Sequence, residues 1–108
     1  MGESVGEFEQ FILFALLRLG DRAYGVTIRK EIESRTGRTV SSGAIYTALD
    51  RLESRGYVSS LMGEPTPERG GRRKKFYRLE PLGVKTLGRS YSALMKMAQG
   101  LEPKLTTF

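Results

Sequence analysis

The chain has 108 residues, 39% hydrophobic and 28% charged, which suits one domain with a single modest core and excludes wholesale disorder. Its formal charge of +6 favours polyanionic partners, either nucleic acid or an anionic membrane surface. With no cysteine and no histidine it lacks the residues for a disulfide framework, a thiolate metal site or an imidazole base, and no cofactor or metal is expected.

The opening stretch, MGESVGEFEQ, is acidic and does not read as a signal peptide. The longest apolar run, Phe11 to Leu17, is too short to span a bilayer. A cytoplasmic protein fits both features. A first helix is expected from about Val5 to Leu19, with Phe8, Phe11, Ile12, Ala15, Leu16 and Leu19 at helical spacing and Gly20 ending the run. Ser4 and Glu7 have the spacing of a capping box at its start. Leu13, Phe14 and Leu17 make the opposite side apolar too, so this helix should be covered on more than one face.

A second helix is expected from about Tyr24 to Thr36, with Tyr24, Ile28 and Ile32 inward and Arg29, Lys30 and Glu33 toward solvent. Gly37 ends it, and Arg38-Thr39-Val40 can hold one brief strand. Ser41 or Ser42 caps a third helix that reaches about Arg55, with Ile45, Ala48, Leu49 and Leu52 facing the core. The period then changes. Tyr57 to Met62 is compatible with a strand, Gly63 to Arg73 reads as a loop, and Lys75 to Leu79 alternates as a half-buried strand should. Pro81 opens a final helix that runs to about Gln99.

That order predicts a mainly α (α+β) chain. It is a winged helix-turn-helix with a two-stranded β-wing and an added layer of N- and C-terminal helices for dimerisation. Residues 1–80 would form the DNA-binding domain, 81–100 a dimerisation helix and 101–108 a tail. A recognition helix must enter a major groove about 12 Å wide, with its N-terminal residues nearest the base edges. The third helix offers short polar residues there, Ser41, Ser42, Gly43 and Thr47, flanked by Tyr46 and Arg51. The serine hydroxyls lie at the helix's positive end, where phosphate is favoured. Asp50 and Glu53 would repel phosphate unless turned away or paired with Arg51 or a lysine.

Arg69-Gly-Gly-Arg72-Arg73-Lys74-Lys75 sets five cations around two glycines where the hairpin turns. Arg69, Arg72, Arg73 and Lys74 are therefore the candidate wing contacts to DNA. In the last helix, Val84, Leu87, Tyr91, Leu94, Ala98 and Leu101 are spaced 3, 4, 3, 4, 3, the pattern of a coiled-coil seam. So small a core cannot cover both this helix and the first one. Phe11, Phe14, Leu87, Tyr91, Leu94 and Ala98 are therefore expected at a twofold dimer interface, which would make the operator an approximate inverted repeat.

These stretches resemble the PadR family of transcriptional regulators. The resemblance rests on Phe11 to Leu17, on Tyr24-Gly25 with Ile28 and Ile32, and on SGAIYTALDRLESRGYV from Ser42 to Val58. The basic wing and helix opening GRRKKFYRLEPLG, Gly71 to Gly83, complete it. Thr47 stands where many members have proline, and Glu80-Pro81 replaces the usual threonine. The short tail is similar to that of the compact subgroup with a single dimerisation helix. The resemblance implies a homodimer that binds double-stranded DNA, commonly a repressor relieved by a small-molecule effector. Such a ligand would sit in an interface cavity, which Phe8, Phe11, Phe14 and Tyr91 have the chemistry to line. An enzyme is not expected, since no Gly-rich phosphate loop, paired carboxylates or Ser-Lys arrangement stands out. The rival reading is a winged-helix module that docks on protein or binds nucleic acid non-specifically. A membrane-surface role would need a basic amphipathic helix, and the last helix has only scattered Lys85, Arg89 and Lys96.

Overall fold

The computed structural model describes residues 5–64 and 73–106. Helix α1 (Glu7–Leu19) leads through a 3-10 turn (Gly20–Arg22) into α2 (Gly25–Thr36) and then α3 (Ser42–Ser54). Strands β1 (Val58–Met62) and β2 (Lys75–Leu79) follow, then α4 (Pro81–Ala98) and a single turn, α5 (Glu102–Leu105), inside the segment expected to be a tail. The succession matches the winged arrangement expected from the change of period.

Helix α1 begins two residues later than its capping pattern predicts. Gly6 is the N-cap, and its N–H donates to Glu9 Oε1 at 3.2 Å, so the reciprocal half of the capping box is supplied by Glu9 rather than Glu7. Val5, buried ahead of the extended Gly6, explains the shift: continuing the helix backward would lift it out of the core. Ser4 lies outside the described residues.

The core gathers Ile12, Leu13, Leu16 and Leu19 of α1, Ile28 and Ile32 of α2, Ile45, Leu49 and Leu52 of α3, and Tyr57, Val58 and Tyr77 from the sheet. Burying each large aliphatic side chain contributes about 1.5–3 kcal/mol. Leu13 is fully buried, but Phe14 and Leu17 remain exposed, so the chain covers only part of the second apolar side of α1.

The two strands pair antiparallel, Val58 opposite Leu79 and Met62 opposite Lys75. No strand forms at Arg38–Val40. There, Val40 N–H donates to Glu33 at 2.9 Å and Arg38 N–H to Thr36 Oγ1 at 3.2 Å, so side chains satisfy the loop. The extra rung of the sheet comes instead from the start of α2: Tyr24 bridges Phe76, and Tyr77 N–H donates to Ala23 O at 2.9 Å.

Helix α4 is seated by its first two turns. Gly83 is pressed against the β1 side of the core, where a Cβ would stand 2.3 Å from Tyr57 O, so only glycine fits. Leu87, expected at the dimer seam, is 2% exposed and belongs to the chain's own core. The seam periodicity continues past it, but the packing does not: Tyr91, Leu94 and Leu101 are exposed and Ala98 is only half-buried.

Candidate nucleic-acid interface

The apolar face of α3 is fixed by Ile45, Leu49 and Leu52, none of which is exposed. That packing turns Ser41, Ser42, Gly43, Tyr46, Thr47, Asp50 and Ser54 outward. Ser41 Oγ accepts the Ala44 N–H at 3.1 Å and so caps the helix. A small, polar and exposed helix start is thus presented at the positive end of the helix.

Tyr46 does not project freely from this surface. Its hydroxyl end lies over the first residue of α2, where a Cβ on Gly25 would come within 2.1 Å of Tyr46 Oη. Glycine at position 25 is what allows the recognition helix and the start of α2 to meet. On the same α2 start, the Tyr24 ring packs edge-on against Phe76 at 5.4 Å, and Lys74 Nζ sits 4.7 Å from the Tyr24 ring centroid. Tyr24 and Gly25 therefore join the α3 surface to the root of the wing. The root itself is pinned by Gly63 N–H donating to Lys74 O at 2.7 Å and Arg73 Nε donating to Gly63 O at 2.9 Å. Arg73, Lys74 and Lys75 are all exposed. Arg69 and Arg72 lie outside the described residues.

Neither carboxylate of α3 pairs with Arg51. Glu53, half-buried, accepts from Ser60 Oγ at 2.6 Å. Burial pushes the Tyr77 hydroxyl up to about 12, with Asp50, Glu53 and Tyr46 adding to the shift, so both carboxylates act on the base of the wing. Tyr77 stays neutral at any physiological pH and serves as core. Arg51 is drawn to the other flank of the helix, where its Nη1 lies 3.4 Å from Glu9 Oε2 on α1.

Two residues of this region escape sequence reasoning. Arg29, expected toward solvent, is half-buried beside α3, with Nη1 3.4 Å from Ser42 Oγ. Its buried Nε has no hydrogen-bond partner among the described residues. Glu9, a carboxylate in an apolar helix run, is the other. The only hint in the sequence is that it stands between Phe8 and Phe11.

A second surface lies on α1 and α4. The Phe14 and Tyr91 rings meet edge-on at 6.3 Å, and both residues remain exposed, as does Leu94. Ala98 is half-buried, and half-buried Phe11 carries the Arg38 guanidinium 5.1 Å from its ring centroid. A groove of about 260 Å³ runs between Phe11, Phe14, Arg18 and Ile32. It falls below the roughly 300–1,000 Å³ usual for small-molecule sites. Among the described residues no cluster suited to a metal ion occurs, and no helix is long and apolar enough to cross a membrane.

The Transcriptional regulator PadR-like family matches residues 13–89. Among solved structures, a PadR family transcription regulator from hypervirulent Clostridium difficile superposes with a TM-score of 0.76 at 26% identity, covering 93% of this chain and 99% of the other. A transcriptional regulator from Clostridium thermocellum superposes at 0.71 with 29% identity, covering 88% and 89%. A winged-helix DNA-binding protein from STIV, 21% identical, shares the fold at 0.70 over 91% of this chain and 98% of its own. No protein of curated function matches in sequence.

Proposed function

This chain belongs to the PadR-like family of transcriptional regulators and has a winged-helix DNA-binding fold, and on that premise we propose that it binds an inverted-repeat operator as a homodimer and represses transcription there. The observation that carries the reading is the continuity of α3 and the wing root through Tyr24 and Gly25. Ser41, Ser42, Gly43, Tyr46 and Thr47 enter the major groove, and Arg73 and Lys74 hold the adjacent backbone, with Arg69 and Arg72 continuing the basic run in sequence. The work is done in the cytoplasm, where duplex DNA is within reach.

The homodimer reading is supported by chemistry that the single chain leaves unfinished. Phe14, Tyr91 and Leu94 form an exposed apolar stripe, and a second copy offers the same stripe across a twofold axis. The groove beside Phe11 and Phe14 is too small by itself for a small-molecule effector, so a site there would need both copies to enclose it.

Selection of bound duplexes from a random-sequence library tests DNA binding, site identity and dimer symmetry together. An enriched inverted repeat is the expected result. Binding without any enriched sequence would favour the non-specific reading, and no binding would favour a protein-docking module.

A further inference from the structure

Glu9 is the only buried charged residue among the described residues. Its Oε1 accepts the Gly6 N–H at 3.2 Å and lies 3.8 Å from Arg55 Nη1, while Oε2 lies 3.4 Å from Arg51 Nη1. Arg51 lies in the last turn of α3 and Arg55 is its C-cap, so a single carboxylate of α1 faces two guanidiniums at the C-terminal end of that helix. The carboxylate side chain is 10% exposed, whereas those of Arg51 and Arg55 are 53% and 38% exposed.

We propose that Glu9 is a positioning residue that holds Arg51, and with it Arg55, against α1 and so withdraws them from the charge the recognition helix offers DNA. This rests on the reading that α3 meets DNA. The competition is uneven. A phosphate on DNA is hydrated and screened by salt, whereas Glu9 is largely desolvated, so its pull on a nearby guanidinium is stronger per unit distance. Giving Arg51 to a phosphate would also leave a buried carboxylate short of a partner, which is the costly state for such a group. The α3 surface then reads DNA through its neutral start, Ser41 to Thr47, and the salt-dependent part of affinity falls to the wing.

Glu9→Gln is the informative variant. Glutamine keeps an oxygen acceptor for the Gly6 N–H and nearly the same volume, and it removes the charge. Binding of the full chain to a mixed-sequence duplex is measured by fluorescence anisotropy over a range of salt. Glu9→Gln should bind several-fold tighter at low salt, with the slope of log affinity against log salt steeper by about 0.9 for each arginine freed. Arg51→Ala in the wild-type background should leave that slope unchanged, and in the Glu9→Gln background it should remove its share of the gain. An unchanged or flatter slope for Glu9→Gln overturns the proposal. So does a flatter slope for Arg51→Ala alone, which stands even if Glu9→Gln folds poorly. A wild-type chain that binds no duplex at any salt would sink the DNA-binding reading itself, a result separate from either of these.

Discussion

Helices α3 and α4 are both amphipathic, yet they finish differently. Helix α3 buries its whole apolar face, with Ile45, Leu49 and Leu52 inaccessible to solvent, and shows water a polar surface. Helix α4 buries Leu87 and then runs on with Tyr91 about half exposed, together with Leu94 and Met97. A polar outer face asks for water or a polyanion, whereas an apolar one asks for apolar area. The contrast is what supports the proposal that α3 meets DNA and that the distal part of α4 meets a second copy.

The largest effect comes from separating the two halves of α4. Leu87→Ala should destabilise the chain by about 2–5 kcal/mol, the cost of a cavity in a packed core, read from chemical denaturation. Leu94→Glu, on the same seam, should leave the helical spectrum intact and convert dimers to monomers in sedimentation. Equal destabilisation by both would erase the division. A Leu94→Glu variant that stays dimeric would move the interface elsewhere.

A middle-sized effect tests how α3 is joined to its neighbour. Gly25→Ala places a methyl group where the Tyr46 hydroxyl now lies. Tyr46 is 44% exposed and its ring can swing outward, so stability should change by less than about 1 kcal/mol. DNA affinity should nevertheless fall several-fold, because the aromatic ring no longer joins α3 to the start of α2, the element that carries Tyr24 onto the wing root. Adding Gly25→Ala to Tyr46→Ala should then cost nothing more. An extra loss in the double variant would show that Gly25 acts by another route.

Much of this was readable in the sequence, for physical reasons that also mark where reading stops. Spacing reports which residues share a face, so the helices, the hairpin and the core positions Ile45, Leu49 and Leu52 follow from periodicity. It does not report where the neighbouring core ends, which is why Leu87 and Leu94 look alike in the sequence and differ in the fold. A helical wheel likewise places Arg51 on a flank, but its partner Glu9 lies 42 residues away. The absent strand at Arg38–Val40 shows a third limit. Strand propensity there lost to local acceptors, the Glu33 carboxylate and the Thr36 hydroxyl.

The smallest effect asks whether surface charge ahead of α3 matters beside its core. Arg38, in the loop leading to α3, donates to Glu7 at the start of α1 at 2.7 Å. The hydrogen bond and charge of Arg38 hold the Glu7 carboxyl below its ordinary 4.5. A carboxylate whose pKa is lower in the folded state stabilises that state above its unfolded pKa. The contribution is lost as pH falls through the folded value. Both side chains are more than half exposed, so water and salt screen the pair and its effect is slight. Glu7→Gln should therefore melt marginally below the wild type at neutral pH, and the two melting curves should converge in acid. A large difference at neutral pH, persisting in high salt, would mean that α3 is held by charge at its entrance as much as by Ile45, Leu49 and Leu52. The contrast with α4 would then rest on electrostatics rather than burial.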